Sequence, residues 1–181
     1  MKKLTALLAV ALIFTFGLAV STPVVQAQTG CASNLNKQIP ADGAAVSDAV
    51  LAIAAVETDP TVKQHLITAA NALRTATANW KVGTPTDDIN TAAVALEAVL
   101  GSIPQTSQYV VLVPIAVAAI DILLENLPAS TTSNAKAKTL HVAYNPYRGK
   151  ATIPHRFGRS RVDDFKAAWN AKAPTPALQL K

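Results

Sequence analysis

Residues 109–127 read YVVLVPIAVAAIDILLENL, the most apolar part of the chain after its N-terminal leader. The uninterrupted apolar run from Tyr109 to Ile120 is 12 residues long, and a bilayer core needs about 20. A helix that is apolar on every side belongs inside other helices, so this stretch predicts the centre of a helical body. Pro114 has two readings: it kinks one helix from about Thr106, or it opens a shorter helix after an extended Tyr109–Val113. Pro128 stops the helix.

The segments before it supply the wrapping. Ile89, Ala93, Leu96, Leu100 and Ile103 step by 4, 3, 4 and 3, behind a start signal of Thr84, Thr86, Asp87 and Asp88. Val62, Leu66, Ala69, Leu73, Ala76 and Trp80 repeat that spacing after Asp59 as N-cap and Pro60 as first helical residue. Gly83 serves as a left-handed stop. A first helix is expected from Ala44 to Glu57, with Val46, Val50 and Ile53 on one face. The connections are short, so neighbours should run antiparallel. The predicted fold class is all-α, an antiparallel four-helix bundle over residues 41–128.

Upstream, Lys2 and Lys3 precede an apolar run from Leu4 to Val20, the layout of a signal peptide for Sec export. Val25-Gln26-Ala27 is a small-x-small cleavage site that would leave residues 1–27 as signal peptide and Gln28 as the first mature residue. Thr29-Gly30-Cys31-Ala32-Ser33 resembles the lipobox of bacterial lipoproteins. That resemblance implies removal of residues 1–30 and a lipid on Cys31. An uncleaved N-terminal anchor is the third reading. Cys31 is the only cysteine, and lipidation explains a single cysteine in an exported chain. The expected location is periplasmic or membrane-anchored through Cys31, and otherwise secreted. Residues 28–40 are polar and without periodicity, so they read as a tether.

Beyond Pro128 the composition changes. Residues 129–138 are small and polar, a linker. Residues 139–181 form a basic, aromatic arm, mostly irregular, with a short extended piece at Leu140–Tyr144. A last helix from Arg161 to Lys172 is capped by Ser160 and presents Val162, Phe165 and Trp169 on one face. A disordered tip comes after Pro174 and Pro176. Charge obeys the same division. Residues 28–128 hold four Lys and Arg against nine Asp and Glu, a net −5, while residues 129–181 hold ten against two, a net +8. Such an arm either folds back on the acidic body, in its own chain or a neighbour's, or projects toward an external polyanion. Aromatic anchors with Arg are the composition of protein interfaces. The expected contacts are Tyr144, Tyr147, Arg148, Lys150, Arg156, Phe157, Arg159, Arg161, Phe165 and Trp169.

Catalytic chemistry finds no footing. His65, His141 and His155 have no ligand partners at zinc spacing, and no nucleophile motif, phosphate loop or dinucleotide fingerprint occurs. No cofactor and no metal site is expected. Asp121 and Glu125, one helical turn apart, either mark the solvent edge of the fourth helix, or hold a cation, or meet arginines of the arm. The expectation is a non-enzymatic envelope protein whose arm contacts a protein partner or neighbouring subunit, with nucleic acid disfavoured. Alternatives are a membrane-active helical protein that inserts residues 106–127, and a binder of an envelope polyanion.

Overall fold

The computed structural model describes residues 25–128, 145–154 and 160–181, with side chains from Asn34 onward. The linker, the extended piece at 140–144 and most of the leader lie outside the described residues. The chain divides into compact units of residues 1–34 and 35–181, and the packing below is that of the second. Among the described residues the fold is helical, with five α-helices and no strand. They are α1 (Val25–Val56), α2 (Pro60–Ala78), α3 (Asp87–Gly101), α4 (Val113–Glu125) and α5 (Arg161–Asn170). Single 3-10 turns lie at Val110–Leu112 and Pro176–Leu178.

The expected seams form the core. Ile89, Ala93, Leu96, Leu100 and Ile103 are all buried, as are Leu66, Ala69, Leu73 and Trp80, while Val62 and Ala76 pack at its edge. Asp59 caps α2 by accepting from the backbone N–H of Thr61 at 2.8 Å and of Val62 at 3.1 Å. Thr86 holds the N-cap position of α3 without a side-chain cap bond, leaving Asp87 and Asp88 to meet the helix dipole. Gly83 has φ +98° inside the turn closed by Thr84 N–H on Lys81 C=O at 2.9 Å, where a side chain would be strained.

The organising stretch lies inside as expected, with Val113, Ile115, Ala116, Val117, Ala119, Ile120 and Leu123 buried. Residues before Pro114 form a 3-10 turn rather than an extended segment, and Pro114 sits in the first turn of α4, where its missing N–H costs nothing. With 13 residues α4 is about 20 Å long, short of a bilayer core.

Two expectations are corrected. Residues 28–40 are not an irregular tether: α1 runs through them as one helix that contains Pro40. Leu35 and Ile39 carry the apolar face back from Val46 and Val50, and Ile39 is fully buried. The Asn36 side chain accepts from Val82 N–H at 2.7 Å, tying the front of α1 to the turn after α2. Asn34–Val56 is an N-terminal apolar stretch long enough to serve as a signal or membrane anchor, yet 50% of its most apolar window is buried inside the fold. The second correction concerns the tip. After Pro174 the chain turns back, and Leu178 is buried with its C=O accepting from Trp169 Nε1 at 2.6 Å. Asn170 pairs with both backbone groups of Leu180, at 2.8 and 2.9 Å. An indole N–H inside a core needs an acceptor, and the returning tip supplies it.

Candidate functional site

The acidic body and the basic arm meet in two clusters. In the first, Asn145-Pro146-Tyr147-Arg148 forms a turn at the C-terminal end of α3. Asn145 Oδ1 accepts from Tyr147 N–H at 2.9 Å, and Arg148 N–H donates to Asn145 C=O at 3.2 Å, so Asn145 organises its own turn. Its amide nitrogen donates to Glu97 C=O at 3.2 Å. Tyr147 drops into the core, and its hydroxyl donates to Ile103 C=O at 2.7 Å. Burial pushes its phenol pKa above the ordinary value. The Ile103 carbonyl lies just past the end of α3, where a helix leaves acceptors without intrahelical partners, and that of Glu97 lies one turn before the end.

Arg148 completes the cluster. Its Nη2 donates to Glu97 Oε2 at 2.6 Å, and its Nε lies 3.5 Å from Asp121 Oδ1. The Glu97 side chain is fully buried, whereas that of Asp121 is 26% exposed. Asp121 meets an arginine of the arm while staying partly exposed, and Glu125 is exposed, so the expected solvent edge and the expected contact with the arm are both seen. Glu97 is a functional residue that the sequence analysis does not single out. The signal was present in the spacing: Glu97 directly succeeds the seam residue Leu96 and falls four residues after Ala93, on the inner side of α3.

The second cluster lies between α5 and the body. Ser160 Oγ accepts from Asp163 N–H at 3.1 Å, the expected cap. Phe165 and Trp169 are buried with ring centroids 5.9 Å apart, and Val162 is half-buried beside them. Arg161 Nη2 reaches Asp42 Oδ2 on α1 at 3.1 Å. The contact is ionic without hydrogen-bond alignment, since neither atom has a hydrogen-bond partner. Burial raises the Asp42 carboxyl to about 6, with Arg161 pulling it back down in part. Next to this pair is a cavity of about 220 Å3 whose walls come from α1, α4, α5 and Ile153.

Tyr147, Arg148, Arg161, Phe165 and Trp169 are therefore turned toward their own chain. Lys150 is exposed, with its ammonium 5.7 Å from the centre of the Tyr147 ring. Tyr144, Arg156, Phe157 and Arg159 lie outside the described residues, as does the side chain of Cys31, which falls within α1. Among the described residues no group of three or more His, Cys, Asp or Glu is placed to hold a metal ion. No protein-family model, no curated protein and no solved structure matches this chain.

Proposed function

We propose that this chain is an exported, non-enzymatic interaction module of the bacterial envelope. An antiparallel four-helix bundle carries a basic arm, and the arm meets a protein partner or a neighbouring subunit. The supporting observation is the way the two charge classes are paired. The buried carboxylates Glu97 and Asp42 are matched by Arg148 and Arg161, so the inward side of the arm is neutralised by the body. Among the described residues, Lys150, Lys172 and Lys181 of the arm are exposed. A seated arm with cations on its outer side suits an acidic surface, and an identical subunit offers one in its own body. The same two ion pairs would form if the arm of one subunit lay on the body of the next.

The leader supports export, with either Gln28 or lipid-bearing Cys31 at the mature N-terminus. The location is then periplasmic, secreted or membrane-anchored. The test has two parts. The intact mass of protein made in a bacterium should show loss of the leader, and a mass that retains Met1 with a soluble cytoplasmic product overturns export. Light scattering of the mature chain should show an oligomer that Lys150→Glu together with Lys172→Glu dissociates. A monomer that also cross-links to no envelope protein ends the interaction reading.

A further inference from the structure

We propose that the cleft between residues 150–154 and the C-terminal end of α5 docks an acidic peptide strand of another protein, a proposal that rests on the interaction role of the arm. The cleft measures about 420 Å3. Val111, Pro114 and Ile115 of the body and Ala168 and Ala171 of the arm give it an apolar lining. Val111 is 49% exposed, the largest value among the described large apolar residues. An exposed valine in an apolar recess suits an aliphatic side chain of a partner.

Charge and backbone fix the chemistry of that partner. Lys150 and Lys172 both line the cleft, and both are exposed. Arg148 and Arg161 of the same arm are paired with carboxylates of the body, whereas neither lysine forms an ion pair among the described residues. Asp164 also lines the cleft, but it is buried and already partnered. The reachable charge is therefore positive and suits carboxylates. Ala151, Thr152 and Ile153, which run along this edge, belong to no helix or turn, and their backbone N–H and C=O groups make no hydrogen bond within the chain. Pro154 disfavours helical backbone at Ile153. A row of available donors and acceptors beside a pocket is what strand addition uses: main-chain bonds give affinity and the pocket gives specificity. A lipid tail or a small anion would leave that row to water, so the row favours a peptide. On a strand every second residue shares a face, which sets the partner's pattern as acid, any, aliphatic, any, acid.

Fluorescence anisotropy of a dye-labelled, end-blocked pentapeptide, Glu-Thr-Leu-Thr-Glu, titrated with the full mature chain tests the cleft. Saturable binding with a Kd below about 1 mM is expected. Lys-Thr-Leu-Thr-Lys should bind at least about tenfold more weakly, and so should the acidic peptide N-methylated throughout, which has no backbone donors. Combining Lys150→Glu with Lys172→Glu should reverse the preference between the acidic and the basic peptide. Ala171→Trp, at an exposed position, blocks the cleft and should abolish binding while far-UV circular dichroism stays that of the parent. No saturable binding of the acidic peptide, equal binding of its basic or N-methylated version, undiminished binding by folded Ala171→Trp, or displacement of the peptide by an equal concentration of octanoate overturns the proposal. A chain that self-associates or cross-links to an envelope protein yet binds no peptide overturns this proposal alone, because the interaction role is read separately, from light scattering and cross-linking.

Discussion

Arg148 of the arm donates to the fully buried Glu97 of the body at 2.6 Å, across 51 residues of sequence. A carboxylate with no exposed surface depends on such a partner, because removing one member of a buried pair strands the other. Arg148→Ala should therefore cost about 3 kcal/mol, the low end for a buried pair because the arginine is itself partly exposed. Asp121→Asn, at 3.5 Å and partly solvated, should cost under about 1 kcal/mol. Thermal unfolding should show Arg148→Ala lowering the midpoint by roughly 10 °C and Asp121→Asn by much less. Equal effects would mean that Asp121, not Glu97, is the principal partner.

The returning tip makes a second prediction. Trp169 is fully buried and its indole holds Leu178 C=O, so Trp169→Ala opens a cavity and frees the last residues together. A loss of about 3–5 kcal/mol is expected in urea unfolding. Limited proteolysis should then remove residues after Pro174 from the variant and spare them in the parent chain. Equal cleavage of both would show that the indole does not hold the tip.

Periodicity carried most of the body, since Ile89 to Ile103 and Leu66 to Leu73 bury their stepped residues wherever packing needs only an apolar face. It failed where polar residues do structural work. Asn34, Asn36 and Lys37 suggested a tether, but Asn36 bonds across to Val82 while Leu35 and Ile39 continue the inner face. The two prolines near the C-terminus suggested disorder, yet a 3-10 turn accepts Pro176 and the buried indole fixes Leu178 behind it. The composition of the arm pointed to an interface without saying whose surface it covers. That depends on Glu97 and Asp42: spacing places Glu97 beside the seam of α3, but the depth at which both carboxylates are buried is a property of the packed helices.

Close approach of α1 and α2 makes a third prediction. The Thr77 side chain occupies the space that a Cβ on Gly43 would need. Thr77 is fixed there, because its hydroxyl donates to Leu73 C=O at 2.9 Å, and Ser47 Oγ donates to Gly43 C=O at 2.7 Å. Gly43→Ala should therefore destabilise by about 1–3 kcal/mol despite alanine's better helix propensity. Adding Thr77→Ala should recover most of that loss, and a double variant as unstable as the sum of the singles would place the strain elsewhere.

The buried pair at the seam predicts how stability responds to pH. Burial raises the Asp42 carboxyl from 3.8 to about 6, against the opposing pull of Arg161. The folded chain therefore holds this proton more tightly than the unfolded chain does. The stabilising contribution is complete below pH 3.8 and is lost as pH rises through about 6. A shift of this size corresponds to something on the order of 3 kcal/mol. Asp42→Asn keeps the shape of the neutral acid and cannot ionise, while Arg161 stays charged throughout. Near pH 3.8 the variant and the parent should be close in stability. By neutral pH Asp42→Asn should be the more stable by a few kcal/mol, read from urea unfolding at both pH values. If the parent instead gains on the variant as pH rises, the attraction to Arg161 outweighs the cost of burial, and the ionised pair is what holds the arm in place.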